Sequence, residues 1–202
     1  MTIVNGYGTL AEFLSRYGVT GTDAARDTTI EATIYAVSRA IDLLGPRRFW
    51  VNAADALETR YYTATDPEKI WLPDDVVSVT TLATDHDMDG VYEYTWAATD
   101  YRLSPPNAAI DGWPYNQIKR KQLGSYYFPV GVDDGIKLVG RFGFPAVPGQ
   151  ISEACYLQSY RLYLRKTAPF GVAGSADMGQ VMVIPKLDPD VELLVQPFLR
   201  RL

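Results

Sequence analysis

The chain has 202 residues, with 19 Lys and Arg against 24 Asp and Glu and a formal net charge of -5. That balance argues against wholesale nucleic-acid binding, which shows as a basic face, although an acidic wall would let DNA slide past without sticking. The single cysteine, Cys155, excludes an intramolecular disulfide and a cysteine metal cluster. The apolar share of 47% can supply a core for one domain or one and a half.

No apolar run approaches the ~18 residues of a membrane span. The start, MTIVNGYGTLAEF, lacks the basic and apolar stretches of a signal peptide. Synthesis in a cytoplasm is the expectation.

Residues 9–17, TLAEFLSRY, predict a short helix. Thr9 caps it, Glu12 completes a capping box, and Leu10, Phe13, Leu14 and Tyr17 form one apolar face. Residues 23–44 predict a longer helix with Ile30, Ile34, Val37, Ile41 and Leu44 on one stripe, stopped at Gly45-Pro46. The short join implies that the two pack as an antiparallel pair.

After Arg47-Arg48 the texture turns to strands. Glu58–Thr63, Lys69–Leu72, Val76–Thr84, Val91–Trp96, Tyr101–Leu103 and Ile136–Phe144 carry β-branched and aromatic residues broken by Pro, Gly and Asp. Residues 104–135 are rich in Pro, Gly, Asn and Tyr and predict a long loop carrying one basic cluster, Lys119-Arg120-Lys121. A third helix follows from Ile151 to about Lys166.

The last stretch joins a Gly/Ser tether, a strand-like QVMVI and an amphipathic DPDVELLVQPFLRRL. Asp188 suits its cap and Pro189 its first turn. The expected fold class is α+β. It has a helical-bundle core (1–48 and 149–170), a β-rich insertion (49–148) between the second and third helices, and an extended C-terminal arm (171–202).

Catalytic constellations are missing. The chain has no nucleophile elbow, phosphate loop or zinc motif. His86 is the one histidine and sits in an acidic turn, while Cys155 falls on an apolar helix face. The reading is non-enzymatic, with a carboxylate-pair hydrolase left as a remote alternative because no two acids are singled out.

DHDMDG, residues 85–90, places Asp85, Asp87 and Asp89 at alternate positions, with Glu93 to follow. Such spacing converges oxygens on Ca²⁺, which takes six to eight of them. An EF-hand is excluded because Trp96 stands where its bidentate Glu belongs. A tight hairpin turn is the preferred account and a calcium loop the alternative. No other cofactor is expected.

The order of these segments resembles the head–tail connector (adaptor) proteins of long-tailed bacteriophages and gene-transfer particles. The resemblance is carried by the helix pair with its GPRRF exit, by DHDMDGVYEYTW followed by TDYRLSPPNA, by VGRFGFPAVPGQISEAC, by LRKTAPFGVAG, and by the terminal LDPDVELLVQPFLRRL. It spans nearly the whole chain.

The resemblance implies a virion structural protein at the head–tail junction. The chain would assemble as a closed ring of about twelve copies beneath the portal protein. The ring would prolong the DNA channel without sequence-specific binding and meet a further connector or tail-completion protein. It implies no membrane partner. The C-terminal segment would reach the portal, with Leu187, Val191, Leu194, Phe198 and Leu199 as apolar anchors and Arg200 and Arg201 as rim charges. A calcium-binding β-rich module of a phage tail or baseplate is the alternative.

Overall fold

The computed structural model describes residues 3–165, 172–173, 182–183 and 187–200. The chain divides into two compact units, one of Met1–Arg47 with Val147–Leu202 and one of Arg48–Ala146. The fold is mixed α+β.

The first unit holds α1 (Leu10–Arg16), α2 (Ala24–Leu44), α3 (Gly149–Arg165) and α4 (Pro189–Val195), the last running into a 3-10 turn at Gln196–Phe198. Thr9 caps α1 by accepting from the Glu12 N–H. The return half of the capping box is replaced by a tertiary relay. Thr9 N–H donates to the Tyr156 hydroxyl at 2.8 Å, which donates to the Glu12 carboxylate at 2.9 Å. Glu12 is thus drawn toward α3.

Phe13 is fully buried, with its ring 6.1 and 6.0 Å from those of Tyr160 and Tyr163. α1 thus packs on α2, as the short join suggests, and also sends Phe13 against the aromatic residues of α3. Asp23 caps α2 by accepting from two backbone N–H groups at 3.0 Å. Ile30, Ile34, Val37 and Ile41 of α2 are buried. Leu44, expected on the same stripe, is 44% exposed because the helix ends there.

The second unit is built on a six-stranded antiparallel sheet. Its strands are β1 (Glu58–Tyr62), β2 (Lys69–Thr84), β3 (Tyr94–Thr95), β4 (Tyr101–Ser104), β5 (Tyr115–Arg120) and β6 (Ile136–Phe142). The order is β1-β6-β2-β5-β4, with β3 also on β2. Ile70, Leu72, Leu82, Ile118, Leu138 and Phe142 belong to its core.

Three expectations change here. Of the strand expected over Val91–Trp96, Tyr94–Thr95 forms strand. The strands expected at Lys69–Leu72 and Val76–Thr84 are one strand, whose register with β5 shifts between Trp71 and Val76. Pro73 lies in that shift, where its missing N–H breaks no ladder bond. Residues 104–135, expected as a loop, contain β5, which pairs with both β2 and β4. The pairing of β2 with β6 shifts twice, after Val76 and after Val79, the latter opposite Gly140, where a Cβ would stand 2.2 Å from the Ser78 carbonyl oxygen.

A separate pair, β7 (Val172–Ala173) and β8 (Met182–Val183), falls in the C-terminal segment. Of the strand expected over QVMVI, Met182 and Val183 are described as strand, and the rest lies outside the described residues.

Candidate functional site

The terminal helix sets the first candidate surface. Asp188 Oδ1 accepts from the Asp190 N–H at 3.0 Å and Pro189 occupies the first turn, so α4 starts as its sequence dictates. Its amphipathic face meets the helical unit itself. Val191 is fully buried, Val195 is 2% exposed and Phe198 is 5% exposed. Arg161 of α3 donates to Asp188 Oδ2 at 3.0 Å, and Arg47 donates to the Phe198 carbonyl at 3.0 Å.

The apolar segment that read as an unpartnered arm is therefore covered within its own chain. Of the expected anchors, Val191 and Phe198 are internal. Leu187, Leu194 and Leu199 are half-buried, as is Arg200. Arg201 lies outside the described residues. Leu193, absent from the expected set, is the outward apolar residue of α4 at 67% exposure. Helical alternation opposite Val191 and Val195 was the signal for it.

Beside α4 the unit opens an apolar groove of ≈ 390 Å³. It is lined by Ala36, Ala40 and the buried Ile41 of α2, by Leu162 of α3, by Val191 of α4 and by Leu187 just before α4. Alanines at helical spacing leave the groove because they project no bulk. Leu44 lines it too, which accounts for a leucine standing half in solvent at the end of α2.

The acidic turn is the second candidate. Asp85, only 3% exposed, accepts from the Asp87 and Met88 N–H groups on Oδ1 and from Gly90 N–H on Oδ2, at 2.8–3.1 Å. Asp89 Oδ1 accepts from Val91 N–H at 2.7 Å. Gly90 has φ +84°, which its lack of Cβ permits. This is the hairpin-turn chemistry that the sequence favours.

Burial would raise the Asp85 carboxyl, but the hydrogen bonds from Gly90, Met88 and Asp87 outweigh it and hold the group below the usual aspartate range. Ligand oxygens of Asp85, Asp87, Asp89 and Glu93 also lie within 4.8 Å of one another. Carboxylate oxygens have lone pairs to spare after one hydrogen bond, so the four fit a hard divalent cation such as Ca²⁺.

Cys155 and His86 are each held by local contacts. Cys155 is fully buried in α3, and burial pushes its thiol up against the opposing contacts of Ser38 and Ser159. His86 lies 3.1 Å from the Thr84 hydroxyl and has its ring 4.8 and 5.2 Å from those of Tyr94 and Tyr127. In the basic cluster, Lys119 and Arg120 belong to β5, and only Lys121 lies past its end.

No protein-family model matches the sequence, and no curated protein matches it. Among solved structures, the chain is similar to one in the neck of an empty GTA (gene transfer agent) particle computed with C6 symmetry. The TM-score is 0.60 at 19% sequence identity, covering 100% of this chain and 94% of that one. At that identity the likeness is one of fold.

Proposed function

We propose that this chain is a structural component of the neck of a phage-like particle, a connector that assembles as a ring beneath the portal, prolongs the DNA channel and joins head to tail. The observation that carries the reading is the full-length likeness of fold to a chain of a particle neck. The order of sequence motifs supports it independently. The role is non-enzymatic, in keeping with the buried thiol of Cys155 and the ring contacts of His86.

The docked position of α4 changes how partner binding is drawn. Val191 and Phe198 hold the segment to its own unit, and the contacts offered outward are Leu193 on α4 and Leu43 on α2, the latter 83% exposed. Apolar side chains left in water, on a unit that also carries an open apolar groove, suit a protein partner. The portal is that partner in this reading, and ring symmetry would multiply a weak contact into a strong one.

The reading is tested in assembling particles. Without the chain, filled heads and free tails accumulate separately, and adding the purified protein joins them. Normal particles formed in its absence would overturn it.

The four converging carboxylates favour a second reading, a calcium-binding interaction module of a tail or baseplate. A ligand bound to the folded state raises Tm by mass action. In this reading Ca²⁺ raises the Tm of the wild type and leaves Asp87→Ala unmoved. A Tm indifferent to millimolar Ca²⁺ and to chelator would remove it and leave the turn as a hairpin.

A further inference from the structure

The register of the sheet brings together cations that the sequence scatters. Lys69 of β2 pairs with Lys119 of β5, which on its other side pairs with Arg102 of β4. Directly opposed residues of antiparallel strands share a face, so the three form one row across the sheet. Neighbouring strands lie about 4.7–5.5 Å apart, and the row spans roughly 10 Å. The core residues Ile70 and Ile118 point to the opposite face.

Like charges set directly opposite one another destabilise a sheet, and here little offsets them. Lys69 has Asp66 at 3.7 Å. Neither Lys119 nor Arg102 has an ion-pair partner among the described residues. Arg120, on the other face, is in contrast fully engaged by Glu68 at 2.9 Å and by the Tyr126 and Gly124 carbonyls. Lys121 extends the positive end, exposed and 3.4 Å from the Ala98 carbonyl oxygen. Edge strands often carry charge to block aggregation, which accounts for Arg102 on β4. It does not account for Lys119, whose strand is paired on both sides.

Trp71 completes the surface. It stands two residues from Lys69 on the same face, pairs with Gln117, and is 66% exposed near the start of β2. A row of cations beside an uncovered aromatic ring is how sheet faces hold nucleic-acid strands, the cations on phosphates and the ring on bases or sugars. An acidic protein segment would use the cations and leave Trp71 unexplained.

We infer that this face of β2, β5 and β4 binds a nucleic-acid phosphodiester chain. The inference rests on the neck reading only for the source of the nucleic acid. With three phosphates engaged and a chain of net charge -5, binding is weak and salt-sensitive. The slope of log K against log salt is about -2 to -3.

The test is fluorescence anisotropy of the full chain with a labelled duplex and a labelled single strand at low salt. Both probes bind the wild type. Lys119→Glu and Arg102→Glu each weaken both by about tenfold or more, as reversal of a phosphate-contacting charge requires, and Lys119→Gln gives a smaller loss. Lys137→Glu, in the same unit but outside the row, leaves binding unchanged.

Trp71→Ala separates the sources. Loss confined to the single strand assigns base stacking there, and equal loss on both probes assigns contact to the backbone. Matching Tm values show that the variants fold. Absence of binding, or equal losses in Lys137→Glu, overturns the inference. So does competition by polyglutamate equal to that by oligonucleotide, because the face would then take an acidic protein segment. The neck reading is measured on particles, so each can fail without the other.

Discussion

Arg161 of α3 and Asp188 at the head of α4 meet at 3.0 Å, and Asp188 caps its own helix with the other carboxylate oxygen. One side chain thus starts the terminal helix and ties it to the unit. Asp188→Ala removes both roles and is expected to lower stability by about 1–2 kcal/mol, the usual loss of a cap plus a partly exposed pair. Arg161→Ala removes one role and is expected to cost less than about 1 kcal/mol. Denaturant unfolding of the two variants and the double variant measures the coupling.

Phe198 is buried and Leu193 exposed on one short segment, so in the proposed neck role they separate folding from partner binding. Phe198→Ala is expected to destabilise the isolated protein by about 3 kcal/mol or somewhat more, as truncation of a buried aromatic does. Leu193→Ala is expected to change stability by less than about 0.5 kcal/mol while weakening association with the portal. Thermal melts of the free protein and a pull-down on portal rings read the two effects separately. Removing the whole terminal helix would uncover the core around Val191 and confuse them.

Two carboxylates of the sheet unit set its response to acid. Burial opposes ionisation of both Asp85 and Glu58. The backbone N–H groups around Asp85, and Arg48 with Arg60 beside Glu58 at 2.7 and 2.9 Å, prevail and lower both groups. A lowered folded-state pKa means that the unfolded chain binds protons first as pH falls. Their contribution is complete above the ordinary carboxylate range of about 4 and is lost as pH drops through the lowered values. Tm is expected to fall steeply below about pH 4 in the wild type. Asp85→Asn is expected to have a lower Tm at neutral pH and a shallower acid slope. Parallel slopes for the two proteins would contradict the role given to Asp85.

What could be read from the sequence was what depends on neighbours along the chain. The caps at Thr9, Asp23 and Asp188 each use the next three residues. Ile30 to Ile41 declare a buried face by spacing alone. The turn at Asp85 is likewise local in its side chain, since the carboxylate's bonds reach no farther than Gly90. β5 was hidden because YNQIKR has one aliphatic residue, Ile118, and is held in place by strands on both sides. The continuity of β2 was hidden by Pro73, which reads as a breaker until the register shift is seen. The docking of Val191 and the row of Lys69, Lys119 and Arg102 arise from contacts between residues far apart in sequence, so no local pattern announces them.

Electron microscopy of the purified chain mixed with the portal of its particle tests the neck assignment most directly. The account predicts a ring of this chain seated coaxially on the portal, with α4 and its groove at a protein contact. Portal rings left bare, with this chain free in solution at concentrations that saturate other neck contacts, would contradict it.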